Sequence, residues 1–289
     1  MSATALLAEL DDTALPSADI KVAFFDIDGT LLGLDGQYTK ATKTAIAQLQ
    51  AQGIKTAIAS GRPHFAARFI AEELGLQDAG VFCTGAHLYS PSQHLSLSVK
   101  ALPHTITASL LTALRTSGMY YELYTQDDYF IEREHDSAIG ETHAEHMRQA
   151  PKQGCFDELS GQHDVLKFLV AVDKIEDHAR LYSLEKDFPQ CHFAYAKIAA
   201  YPDWLFASII DSRACKQQAF DALLAHYNVT AENVMSFGDA QSDMVFLQRA
   251  GFGIAMGNAS QDVQSVARFV TKPVWEDGVA YAISRIIRS

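Results

Sequence analysis

The chain has 289 residues, 48% of them hydrophobic and 20% charged, with a formal net charge of −12. That length supports one large or two unequal domains with a sizeable buried core, and the acidic balance works against nucleic acid and anionic membranes as partners. Cys83, Cys155, Cys191 and Cys215 show no C-x-x-C spacing and read as free thiols of a reducing, cytoplasmic compartment.

Residues 1–20 carry Glu9, Asp11 and Asp12 and no basic residue. That pattern differs from a secretory signal or transit peptide, and a loose tail is expected. No stretch approaches membrane-spanning length. An apolar run over 21–25 then ends in Asp26-Ile27-Asp28-Gly29-Thr30. Alternate residues of a strand face the same way, so Asp26 and Asp28 fall on one side, close enough to share a cation and a substrate. Buried like charges persist only where a metal or a proton compensates them, which points to phosphoryl transfer. An Asx turn, with Gly29 left-handed and Thr30 as its hydrogen-bonding partner, is the plainer reading of the same residues.

A short flap near 32–38 and a helix over 40–52, closed by Gly53, lead to a second apolar run, 54–59, ending in Ser60-Gly61-Arg62. A hydroxyl and free backbone N–H groups are thereby offered at another strand end. Further on, Lys216 opens a stretch with Ala219, Phe220, Leu223, Leu224 and Tyr227 at helical spacing. Its ammonium is a point charge suited to phosphate. A run over 234–237 ends in Gly238-Asp239, with Asp243 four residues on. Taken singly these are a turn, a solvated lysine and a loop dipeptide; in this order, each at the carboxyl end of a strand, they converge on one crevice.

Short continuous apolar runs at 22–25, 54–59, 81–83, 234–237 and 253–255 alternate with amphipathic helices, the pattern of a parallel sheet covered on both faces. The gap between Arg62 and Lys216 is too long for a loop and predicts a folded insertion. Within it the pattern reads strand 95–99, helix 105–117, a hairpin of 120–125 with 129–133, strand 165–172, helix 175–188, and strands 192–196 and 204–210. The expected organisation is a tail (1–20), a doubly wound parallel-sheet α/β core (21–88 and 212–289) and an inserted, open-faced α/β cap (89–211). His143 and His146, with His135 nearby, could make a second metal site; lacking H-E-x-x-H, the segment reads as a solvated polar part of the cap. Trp204 and the tyrosines 120, 121, 124 and 129 read as a packing face.

At these residues the chain resembles the haloacid dehalogenase superfamily of phosphatases, and its Cof-type branch of small-molecule phosphatases most closely. The family's Asp-x-Asp-Gly-Thr falls on Asp26 to Thr30, its Thr/Ser-Gly-Arg on Ser60 to Arg62, its lysine on Lys216 and its Gly-Asp-x-x-x-Asp on Gly238, Asp239 and Asp243. Family-like segments also lie at 255–259 and 276–280. Three departures stand out: Ser242 where Asn is usual, Gln217 where Gly is frequent, and Thr84-Gly85-Ala86 for Asn-Gly-Ala.

The resemblance implies a Rossmann-like core and hydrolysis of a small phosphorylated metabolite, a sugar or cofactor phosphate, with no nucleic-acid or membrane partner. Asp26 is then the nucleophile, forming an aspartyl-phosphate, and Asp28 the general acid and base, a role requiring a raised pKa. Mg2+ is implied between Asp26, the Asp28 carbonyl and Asp239, with Asp243 at the metal's rim or against Lys216. Ser60, Gly61, Lys216 and Ser242 are implied around the phosphate, and Arg62 toward the substrate or the cap. Two other functions share the pattern: a phosphotransferase or mutase of the phosphomannomutase type, and a non-catalytic binding protein. Retention of every acidic motif residue argues against the last.

Overall fold

The computed structural model describes residues 5–6, 19–132, 138–198 and 201–287. Of the expected tail, Ala5–Leu6 (β1) adds a short edge strand, and the rest up to residue 18 lies outside the described residues, as does His135. The first half of the core follows as β2 (Val22–Phe25), α1 (Lys40–Ala51), β3 (Lys55–Ile58), α2 (His64–Leu74), β4 (Gly80–Phe82), β5 (His87–Ser90) and β6 (Leu95–Val99). An insertion then runs through α3 (His104–Ser117), β7 (Tyr120–Tyr124), β8 (Tyr129–Ile131), α4 (Ala138–Met147), β9 (Lys152–Gln153), α5 (Phe156–Gln162), β10 (Lys167–Val172), α6 (His178–Asp187), β11 (Cys191–Ile198) and β12 (Tyr201–Asp211). The chain returns with α7 (Lys216–Tyr227), β13 (Val234–Gly238), α8 (Met244–Arg249), β14 (Phe252–Ala255), α9 (Gln261–Val266), β15 (Phe269–Val270) and α10 (Gly278–Ile286).

The core sheet is parallel throughout, in the order β1-β15-β14-β13-β2-β3. Its central strands are buried on both faces, which is why they read as continuous apolar runs. Ala23 and Phe25 pack with Ile46 and Leu49 of α1 and Ile70 of α2, whereas Val22 and Phe24 pack with Phe220 of α7 and Phe246 of α8. Register then sets the site: Phe25 pairs with Phe237 and with Ile58, and the Phe25 and Phe237 rings stack with centroids 5.1 Å apart. The residues that leave these three strands, Asp26, Gly238-Asp239 and Ser60, therefore emerge side by side at one edge.

The inserted sheet runs β11-β12-β10-β7-β8-β9, antiparallel except for β8 beside β9. Strand alternation divides it into two faces. Tyr121, Leu123, Phe168 and Val170 join Leu110 and Leu114 of α3 and Leu181 of α6 in one apolar cluster. Tyr120, Tyr124, Leu169 and Phe206 on the other face cluster with Met147 of α4 and with Phe65 and Ala66 of the core helix α2. The cap thus packs on the core at the start of α2, directly after Arg62. Leu95–Val99 forms as expected from its pattern, but it pairs with β5 in a small sheet with β4, which a bridge between Ala59 and Val81 ties to the core. The helix α5 carries few apolar residues in a regular period and leaves no clear trace in the sequence.

Candidate active site

Asp26 follows β2 and donates its backbone N–H to the Phe237 carbonyl, so the strand pairing itself fixes the carboxylate. Three positions on, the backbone turns at Gly29, whose φ of 82° is left-handed and where an added Cβ would collide with the Asp239 carboxylate. Only glycine lets the two loops approach so closely. Thr30 Oγ1 donates to Asp239 Oδ1 at 3.0 Å, and Asn258 Nδ2 to the Gly29 carbonyl at 2.9 Å. Asn258, from the turn after β14, was noted only within a family-like segment; its role in joining these loops emerges from the fold.

Asp26, Asp239 and Asp243 present carboxylate oxygens that all lie within 4.8 Å of one another. Asp243 accepts from the backbone N–H groups of Asp239 and Ala240 at 3.2 and 3.0 Å, and from Lys216 Nζ at 2.8 Å. Lys216, the first residue of α7, is buried and also donates to the Ala59 carbonyl at 3.4 Å. One cation against three carboxylates leaves an excess of negative charge. Burial, and then the charge of Asp243, push the Asp26 carboxyl well above its ordinary range against the pull of Lys216. The same two causes raise Asp239 to about 7 despite the Thr30 hydrogen bond. Such a donor set, hard, oxygen-only and short of positive charge, fits a divalent cation such as Mg2+.

Asp28 stands apart from that cluster. Its half-exposed carboxylate takes a two-pronged ion pair from Arg62, Nε to Oδ2 and Nη2 to Oδ1, both 2.7 Å. Burial would raise this carboxyl, but the hydrogen bonds and charge of Arg62, with His146, outweigh it and hold it below the ordinary range. The expected upward shift is absent because the nearest strong partner is a guanidinium. Arg62 itself is buried; its Nη1 donates to the His146 carbonyl of α4 at 2.7 Å, so this arginine joins core to cap.

Ser60 is buried after β3, with its N–H on the Val81 carbonyl and its Oγ accepting the Arg62 N–H at 3.3 Å. Gly61 sits against Thr84 Oγ1, which would lie 3.4 Å from an added Cβ. Thr84 holds φ 58°, a left-handed conformation that Asn tolerates and a β-branched residue resists, so the departure from Asn-Gly-Ala is held at a conformational cost. Ser242 is exposed, 3.4 Å from Asp243 Oδ1.

These groups open into a cavity of about 340 Å³ between core and cap. Asp26, Asp28, Ser60, Gly61, Arg62, Asp239 and Ser242 line its core side; Lys216 and Asp243 sit behind that wall. His143, His146, Lys167, Leu169, Phe206 and Ser208 line the cap side. The histidine segment is thus solvated only in part: Glu141, Glu145 and His146 are exposed as expected, whereas His143 turns inward. His143 is buried with Nδ1 3.0 Å from Glu122 Oε1, and His146 Nε2 lies 3.8 Å from Asp28 Oδ2. Among the described residues these histidines join no group of potential metal ligands. Glu122 and Lys167 were missed altogether, although each is a charge inside an apolar strand, the one signal that could have found them.

The family model for haloacid dehalogenase-like hydrolases matches residues 23–283. The phosphatase YwpJ of Bacillus subtilis (strain 168) is 26% identical over 93% of this chain and 100% of its own. The 5-amino-6-(5-phospho-D-ribitylamino)uracil phosphatase YcsE of the same organism is 26% identical, covering 92% of this chain and 95% of its own. A haloacid dehalogenase-like hydrolase from Bacteroides thetaiotaomicron superposes with a TM-score of 0.81 at 24% identity, over 93% of this chain and all of its own, a likeness of fold. Among the described residues no helix is long and apolar enough to cross a membrane.

Proposed function

We propose that this chain, which belongs to the haloacid dehalogenase-like hydrolases and is a phosphatase of their Cof-type branch, hydrolyses a small phosphomonoester in the cytoplasm through an aspartyl-phosphate on Asp26. The observation that carries this reading is the group of Asp26, Asp239 and Asp243 at one cavity wall with Lys216 as their only bonded cation among the described residues.

Asp26 attacks phosphorus, and the bond to the leaving oxygen breaks as the acyl phosphate forms; water then attacks the same phosphorus and restores the carboxylate. Mg2+, when held by Asp26, Asp239 and Asp243, supplies the charge that lets a carboxylate approach a phosphate dianion. Ser60 and the backbone N–H groups after Asp26 bind phosphoryl oxygens. Lys216 spends two of its three N–H bonds on Asp243 and Ala59, so from behind the wall it positions Asp243 and lends its charge to the phosphoryl site. Asp28 accepts the proton of the attacking water in the charged form that Arg62 favours. Donating a proton to the leaving oxygen calls for the Arg62 pair to loosen as substrate enters. A cavity of about 340 Å³ between core and cap favours a small metabolite over a polymer.

The test is phosphate release by the purified protein from sugar phosphates, nucleotides, pyridoxal phosphate and flavin mononucleotide. Turnover with magnesium, loss on chelation, and inhibition by calcium are expected, since calcium's higher coordination number engages both Asp26 oxygens. Full activity in excess chelator overturns the metal requirement.

A further inference from the structure

Lys167 opens the otherwise apolar strand β10, pairs in register with Tyr124 and Ile210, and is only 4% exposed. Its side chain lines the cavity that Asp26 lines from the opposite side. No carboxylate or hydrogen-bond acceptor among the described residues meets its Nζ. The contact it makes is with the Tyr124 ring, 4.2 Å from the centroid.

The other charged groups nearby are already committed. Glu122 accepts from Tyr120 and Tyr124 hydroxyls at 2.5 and 2.6 Å and faces His143 at 3.0 Å. Arg62 is engaged by Asp28 and the His146 carbonyl. Lys167 is thus the uncommitted cation of the cavity wall among the described residues. Burying an ammonium without a hydrogen-bonded counter-charge is costly: burial draws its pKa down, and the charges of Cys83 and Glu122 offset this only in part. Around it on the same sheet face stand Tyr124, Leu169, Phe206 and Ser208, together with Glu122, whose oxygens are taken by Tyr120, Tyr124 and His143. A molecule that places its phosphate at Asp26 and extends toward the cap meets an ammonium that no carboxylate among the described residues bonds. An anionic oxygen is the complement that such a wall selects.

We infer that Lys167 recognises a second anionic group, a carboxylate or another phosphate, on the leaving-group side of the substrate. The substrate class is then a phosphomonoester that carries a further acidic function. This rests on the phosphatase reading above and sharpens it to a specificity-determining residue.

The experiment uses the magnesium-loaded full chain and two matched pairs of compounds. Glycerol 2-phosphate and 2-phosphoglycerate differ by a carboxylate; fructose 6-phosphate and fructose 1,6-bisphosphate differ by a phosphate. In at least one pair the more anionic member is expected to have a kcat/KM at least ten times higher, carried by KM. In Lys167→Met that ratio is expected to fall toward one through a rise in KM for the more anionic member, and in Lys167→Arg to persist. Which pair responds tells a carboxylate from a phosphate. Wild-type ratios below two in both pairs, or a folded Lys167→Met that keeps the wild-type ratio, overturn the inference. Should Lys167→Met not fold, Lys167→Gln gives the same reading. Absence of turnover on all four compounds and on p-nitrophenyl phosphate overturns the phosphatase reading itself, whereas turnover of p-nitrophenyl phosphate without either preference overturns the role of Lys167 alone.

Discussion

Two buried acidic centres, one in the core and one in the cap, belong to this molecule, and burial alone treats them alike. In the core, Asp26, Asp239 and Asp243 share Lys216, and the carboxyls of Asp26 and Asp239 are driven upward. In the cap, Glu122 is fully buried; burial would raise it, yet the charge of His143 and the bonds from His143, Tyr120 and Tyr124 hold it below its ordinary value. One centre is short of positive charge, and the other has both carboxylate oxygens hydrogen-bonded. Partners, not depth, decide whether a buried carboxylate is poised for chemistry or serves as a rivet for the fold.

The contrast predicts that substitution in the core costs turnover while substitution in the cap costs stability. Asp26→Asn carries the largest effect. An amide keeps the shape and loses both the nucleophile and one negative charge of the cluster, so phosphate release is expected to fall by about 10³-fold or more with thermal unfolding little changed. Retention of more than about a thousandth of the rate rules out covalent catalysis at Asp26. Lys216→Ala follows, because it removes the cation from three crowded carboxylates. Turnover should drop steeply and the unfolding temperature should fall in chelator, recovering in part when magnesium is added.

On the cap side, Glu122→Gln exchanges three charge-assisted contacts for weaker neutral ones, at a cost of about 2 kcal/mol read from denaturant unfolding. The pH dependence has a definite sign. A carboxyl held below its unfolded value stabilises the fold above that value and loses the contribution as pH falls through the folded one. The gap between wild type and Glu122→Gln should therefore be full at neutral pH and shrink below the ordinary value of 4.5. A gap that is constant from neutral pH to well below that value would show that the charge of Glu122 contributes nothing.

Ser242→Asn is the smallest change. The serine is exposed, with one long hydrogen bond to Asp243, so an added amide should preserve activity and shift KM by an amount worth about 1 kcal/mol. Damage on the scale of Lys216→Ala would reveal a specific task for the hydroxyl.

By itself the sequence determined the core, because parallel strands buried on both faces must be short apolar runs and their ends must carry the exposed chemistry. Asp26, Ser60, Lys216, Asp239 and Asp243 were legible for that reason, each lying next to a strand or helix boundary that local pattern marks, whereas the bond between Lys216 and Asp243 was one of two expected places for that carboxylate. What the tertiary structure decided are the pairings between segments far apart in the chain. Arg62 turns to Asp28 and, 84 positions on, to the His146 carbonyl, and that encounter lowers a carboxyl expected to be raised. The alternation of β7 and β10 could be read as strand, but whether Glu122 and Lys167 face helices or the cavity depends on which side of the sheet the core covers. No local rule carries that information, since a charge within an apolar strand is stable only if a distant partner, or a ligand, arrives to meet it.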